Sequence, residues 1–291
     1  MHWMLKPLII FSFIVVAGAQ LAPSLAVAKT STHADAAKKI TVAGRQRMLS
    51  QRLTAAACLV MAGVDVAHRN NVAQASWKEF DAAVVGLAKG SEDIGVTPEI
   101  NTDILAAIDG VSDIWKIVAP SLRQILAGDV SNYTISAVLN ENMTLLSTSN
   151  DVVQAFLRQY GKEAINQNLA LTLDMAGRQR MLSQKMMKEA CFIAVGLDAD
   201  EMRISLQHSV DLFEASLGQL SHGASDVGII APPSQALSSQ LETVKKLWVE
   251  YRKDLTEVAN SKGRVDLLKD LGTQSDAVLA AAHKAVQMYT E

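Results

Sequence analysis

Residues Ala43-Gly44-Arg45-Gln46-Arg47-Met48-Leu49-Ser50-Gln51 recur letter for letter as Ala176-Gly177-Arg178-Gln179-Arg180-Met181-Leu182-Ser183-Gln184. The register that these two stretches set extends outward without a gap. Cys58 aligns with Cys191, Gly63 with Gly196, Asp65 with Asp198, Phe80 with Phe213, Gly90 with Gly223, Trp115 with Trp248 and Leu122 with Leu255. Self-similarity held over such a distance marks a duplicated domain, because the period far exceeds the roughly 20–50 residues of solenoid repeats. The chain therefore reads as two complete modules, residues 29–160 and residues 161–291, behind a leader at residues 1–28.

Each module reads as four helices. In the first copy the helical pattern runs from about 34 to 62, stops at Gly63 and Asp65, resumes over 66–89 and stops again at Gly90. A third helix is expected to start at Pro98, with proline at its first position, and to end at Gly128-Asp129; a fourth starts near Ser131. The second copy repeats this over 168–195, 200–220, 234–260 and 264–289. No strand-like alternation persists. Residues are 49% hydrophobic but only 5% aromatic, so Ala, Leu, Val and Met must fill the core, a composition that favours helix bundles. The expected fold is all-α, two tandem antiparallel four-helix bundles. Between Ser131 and Val195 only Gly161 and the motif's own Gly177 interrupt the helical pattern, so the two modules are expected to share one continuous long helix.

The leader has the features of a secretory signal. Lys6 precedes an apolar run from Leu8 to Leu21, and Ala26-Val27-Ala28 fits a small-x-small cleavage pattern before Lys29. A periplasmic location follows, an uncleaved N-terminal anchor being the alternative. Export permits a disulfide between the only two cysteines, Cys58 and Cys191, but their equivalent places in the repeat favour small buried packing residues. The formal net charge is −3, which excludes the basic surplus that nucleic-acid binding requires.

At about 100° per residue the motif divides into faces. Val42, Leu49, Leu53, Ala56 and Val60 form an apolar stripe. Ala43, Arg47, Ser50 and Gln51 form another, with Gly44 beside it, while Arg45 and Arg52 share a third side. Arg180, Ser183, Gln184 and Gly177 repeat the polar stripe. A guanidinium beside small residues offers a planar fork of donors to an oxyanion that can approach closely. Serine and glutamine add neutral donors, and nothing there pairs a nucleophile with a base. The six histidines show no metal-ligand spacing, and no haem, phosphate-loop or hydrolase motif occurs. No enzyme activity, metal or cofactor is expected. Trp115 and Trp248 read as packing residues.

The repeated stretch resembles the N-terminal sensor domain of type IV pili methyl-accepting chemotaxis transducers, the PilJ-type or NarX-like module. In nitrate and nitrite sensors of that kind the corresponding segment follows roughly Ala-Gly-x-x-Arg-Met-x-Ser. The fixed letters are Ala43, Gly44, Arg47, Met48 and Ser50 here, and again Ala176, Gly177, Arg180, Met181 and Ser183. The resemblance implies an extracytoplasmic bundle in which the motif arginines of two apposed first helices clasp one small planar anion, nitrate or nitrite. It implies that Arg47 and Arg180 hold the anion, with the backbone at Gly44 and Gly177 close to it. The polar stripe adds Ser50, Gln51, Ser183 and Gln184 as expected contacts, and because Arg47 shares that stripe while Arg45 points towards Arg52, Arg47 and Arg180 are expected to dominate over Arg45 and Arg178. Because a rigid helix between modules would keep the two first helices of one chain apart, a homodimer is expected. The chain ends at Glu291 without a signalling domain, so a membrane receptor or signalling protein is the expected partner. The competing reading is a structural or interaction bundle that docks a receptor or pilus component.

Overall fold

A computed structural model describes residues 23–161 and 166–289, with side chains from Ala34 onward. Most of the expected leader, including its apolar run, lies outside the described residues. Among the described residues eight α-helices follow one another: α1 (Pro23–Met61), α2 (Val66–Lys89), α3 (Thr102–Leu126), α4 (Asn132–Tyr160), α5 (Gln167–Val195), α6 (Ala199–His222), α7 (Gln235–Asn260) and α8 (Leu268–Met288). Among the described residues no helix is long and apolar enough to cross a membrane, and the only β-type pairings are the isolated bridges Ser91–Val96 and Ala224–Ile229.

The helix ends follow from local chemistry. Gly63 and Gly196 leave α1 and α5 with φ of +73° and +78°, a conformation that costs glycine nothing. Asp65 and Asp198 then adopt φ of 48° and 43°; aspartate is one of the few other residues that tolerates this region. The third helix starts later than its proline suggested. The Asn101 side chain accepts from the backbone N–H groups of Asp103 and Ile104, and this cap places the start at Thr102.

Helices α1–α4 surround one apolar core, with Leu49, Leu53, Phe80, Ile104, Leu122 and Phe156 at its centre. Helices α5–α8 surround the other, built on Met186, Phe213, Leu220, Leu241, Tyr251 and Leu255. Matching devices recur in both. Trp115 packs on Phe80 and donates its indole N–H to Asp81; Trp248 packs on Phe213 and donates to Glu214. The tryptophans are thus fixed packing residues whose polar edge is satisfied.

The expected continuous helix between modules is not formed. α4 ends at Tyr160, and α5 begins at Gln167, where the Asn166 side chain caps the new helix by accepting from Asn168 N–H. The chain reverses there. Asn142 and Asn150 of α4 meet Thr54 and Arg47 of α1 in descending order, so α4 runs antiparallel to α1. α5 instead lies parallel to α1, in register with it, and the α1–α5 seam is the most extensive helix pairing among the described residues.

Cys58 and Cys191 are joined by a disulfide across this seam, with Cα atoms 6.2 Å apart. This corrects the expectation of two separate packing cysteines, and the reason is symmetry. Residues at equivalent positions on two helices that face each other across an approximate two-fold axis meet one another. Equivalence in the repeat was therefore an argument for pairing, once the two first helices are neighbours.

Candidate functional site

The same approximate two-fold brings the motif copies together. Arg47 and Arg180 are 2% and 1% exposed. A Cβ placed on Gly44 would lie 3.5 Å from Arg47 Nη2 and 3.7 Å from Arg180 Nη2; one placed on Gly177 would lie 3.4 and 3.6 Å from the same two atoms. Two guanidinium forks thus converge in a slot floored by two glycine backbones, within one chain. The seam is close enough for this because Ala43 and Ala176 are buried beside the glycines, and small residues let helix backbones approach.

The partners of the two arginines differ. Arg47 Nη1 donates to Asn150 Oδ1 at 2.9 Å, and its Nη2 lies 2.6 Å from Asp174 Oδ1 on α5. Arg178, half-exposed, takes the other Asp174 oxygen at 2.8 Å. Burial acts to raise the Asp174 pKa, but the Arg47 and Arg178 charges and their hydrogen bonds outweigh it and hold the carboxyl below its usual range. In the repeat, Asp174 corresponds to Thr41 and Asn150 to His283. Arg180 accordingly finds no acid. Its Nη1 lies 3.3 Å from His283 Nδ1, its Nε has no hydrogen-bond partner, and no carboxylate stands within ion-pair range of it among the described residues. Burial, then the Arg45 and Arg47 charges, push its pKa down to about 9, so it remains a cation at neutral pH while poorly compensated. His283 is pushed down to about 4 by burial and by the charges of Arg180, Arg45 and Lys38. It is neutral near pH 7, and since arginine only donates, Nδ1 must be its bare nitrogen and Nε2 must carry the proton.

Burying an unpaired guanidinium is expensive, since buried charges are normally paired. Two buried guanidinium groups in one slot with a single carboxylate make a local excess of positive charge. Guanidinium forks flanked by backbone that lacks Cβ atoms suit a planar oxyanion. A cleft of about 580 Å3 between α4, α5 and α6 reaches Arg47 and Asn150 from solvent, with Met143, Met175, Met181 and Leu212 in its walls.

Gly44, Arg47, Gly177 and Arg180 are thus brought together. The other candidate residues bond within their own helix or module instead. Ser50 and Ser183 donate back to the carbonyls of Arg47 and Arg180. Gln51 reaches Ser50, and Gln184 reaches Ser275 of α8. Arg45 pairs with Glu79 on the surface and Arg52 with Asp276 of α8, so these two do not act as one pair. Asp174, Asn150 and His283 were not found from the sequence. Their one signal was positional: Asn150 and His283 are equivalent polar residues on the last helix of each copy.

The family model for the type IV pili methyl-accepting chemotaxis transducer N-terminal domain, PilJ, matches this chain twice, over residues 30–140 and 164–272. The methyl-accepting chemotaxis protein McpN of Pseudomonas aeruginosa is 31% identical over 96 residues, which cover 33% of this chain. The match spans only 18% of that relative's length.

Proposed function

Since this chain belongs to the PilJ family of type IV pili chemotaxis transducer N-terminal domains, with two tandem copies, we propose that it is a sensor-type binding protein for a small planar anion, nitrate or nitrite. The observation that carries the reading is Arg180, a buried guanidinium without a counter-ion, converging with Arg47 on the slot between Gly44 and Gly177. An oxyanion there supplies the missing negative charge and accepts from both forks. The homodimer expected from the sequence is not required for this, because one chain supplies both first helices. The proposed setting is outside the cytoplasm, after export and cleavage between Ala28 and Lys29, with a membrane receptor or signalling protein as the partner that reads the occupied state.

The test is a thermal-shift and calorimetric titration of the purified chain with nitrate, nitrite, chloride and sulfate. A ligand at 100 times its Kd stabilises by about 2.7 kcal/mol. Nitrate or nitrite is expected to raise the melting temperature and to release heat, and Arg180→Ala to abolish both effects while circular dichroism stays helical. No response to any anion rejects the reading. An equal response in Arg180→Ala moves the ligand elsewhere.

A further inference from the structure

The two motif copies are identical, yet the slot they form is not symmetric. Two guanidinium groups enter it and one carboxylate answers them. Asp174 pairs with Arg47. Its counterpart Thr41 carries no charge, and its hydroxyl is turned back onto the Ala37 carbonyl of its own helix, so it offers Arg180 nothing. Of the remaining nearby cations, Arg178 is half-exposed, Arg45 is 40% exposed and paired with Glu79, and Lys38 is exposed; water screens all three. His283, the remaining titratable group beside Arg180, meets it through a bare nitrogen. Counting the side chains removed from solvent, Arg47, Arg180 and Asp174, the slot lacks one negative charge.

We propose that Asp174 is the specificity determinant of this site: by neutralising Arg47 it leaves a single uncompensated cation and makes the slot select monovalent over divalent oxyanions. This rests on the anion-binding reading above and adds to it the charge class and the residue that sets it. A monovalent anion brings the buried groups to neutrality. A dianion such as sulfate leaves an excess negative charge among buried side chains, where the cost of an unbalanced charge is large. Without the Asp174 carboxylate, two uncompensated guanidinium groups would face the slot, and that arrangement matches a dianion. An acid at position 41 would do the opposite by answering Arg180 as Asp174 answers Arg47, so that the chain would carry its own counter-charges and no anion would be needed.

The experiment measures nitrate and sulfate affinities calorimetrically, at one ionic strength, for wild type, Asp174→Asn and Thr41→Asp in the full chain. The wild type is expected to bind nitrate and to prefer it over sulfate at least tenfold. In Asp174→Asn the nitrate-to-sulfate preference is expected to fall at least tenfold. In Thr41→Asp the nitrate affinity is expected to fall at least tenfold while the ligand-free melting temperature rises. The last variant keeps the test intact if Asp174→Asn fails to fold. A wild type that binds neither anion rejects the binding reading itself. A wild type that binds nitrate while the preference in Asp174→Asn stays within twofold, or while Thr41→Asp binds nitrate as the wild type does, overturns the role of Asp174 alone.

Discussion

Removing the Arg47 side chain leaves the Asp174 carboxylate buried with only the half-exposed Arg178 to answer it. Breaking a buried pair from one side costs about 3 kcal/mol or more, so Arg47→Ala is expected to lower the urea midpoint substantially. Arg180 sits at the equivalent position with the opposite balance, since its charge is buried without an acid. Arg180→Met, which keeps length and removes charge, is expected to raise the ligand-free urea midpoint while abolishing the response to nitrate. Urea titrations of the two variants side by side test this; equal destabilisation by both would mean that the two arginines are equivalent after all. His283 adds a pH dependence of definite sign. Its folded pKa of about 4 lies below its ordinary 6.5, so between these values the unfolded chain holds more protons than the folded one and stability rises with pH. The contribution is complete above about pH 6.5 and is lost as pH falls toward 4. Asp174, held below its ordinary 3.8, adds a further loss at still lower pH. His283→Asn, which copies the residue at Asn150, is expected to flatten the dependence of the urea midpoint between pH 6.5 and 4.

At the scale of the element, α1 and α5 differ from ordinary surface helices because they are covered on nearly every side. Lys188, Glu189, Gln184 and Arg180 are buried on α5 together with its apolar residues, and Lys188 finds Asn142 of α4 across the seam, which in turn donates to Thr54 of α1. A disulfide fixes the two helices in register and closes a loop whose ends are separated by 133 residues. Cross-links of this kind typically contribute on the order of 2–4 kcal/mol. Paired Cys58→Ala and Cys191→Ala substitutions are therefore expected to lower the melting temperature by roughly 5–15 °C without loss of helicity at 25 °C, and scanning calorimetry checks it. The helices themselves were legible because Gly63, Asp65 and Gly90 act locally: each has a backbone preference that stops a helix wherever it stands, whereas the Asn101 cap that sets the start of α3 was overlooked in favour of Pro98. The partner of each helix was not legible in the same way. Periodicity distinguishes the polar stripe of Arg47 from the apolar stripe of Leu49, but says nothing about what covers either. A polar stripe is normally left to water, and here it is covered by an identical stripe. The reversal between α4 and α5 was missed for a related reason. Gly161 alone is a weak stop, and the Asn166 cap that starts the new helix has no signature beyond a single asparagine.

For the whole molecule, duplication has produced a pair of modules that are no longer interchangeable. Among the described residues, polar pairs that cross between them occur once, without a symmetric counterpart, and three of them show why. Arg47 meets Asp174, whose counterpart is Thr41; Arg69 meets Asp276 at 2.8 Å, where the counterparts are Met202 and Met143; Lys188 meets Asn142, where the counterparts are Ala55 and Ser275. A symmetric pair of first modules would bring two Arg47 side chains together with only threonine at position 41, and would leave both copies of Arg69 facing Met143. A symmetric pair of second modules would bury two copies of Lys188 without Asn142 and would set Asp276 opposite Met202. Such one-sided complementarity disfavours both self-pairings and favours the mixed one. Produced separately, residues 29–160 and residues 161–291 are expected to fold as helical modules with an unmatched seam, and to assemble one-to-one when mixed, in preference to either homodimer. Native mass spectrometry of each half alone and of the mixture, under reducing conditions so that the cysteines do not decide the outcome, gives the stoichiometry directly. The Asp276→Arg variant of the second half, which sets a cation against Arg52 and Arg69, is expected to weaken the mixed pair at least tenfold. Halves that remain monomeric when mixed, or homodimers that persist in the mixture, would show that the seam owes its pairing to the covalent chain and not to the residues that cross it.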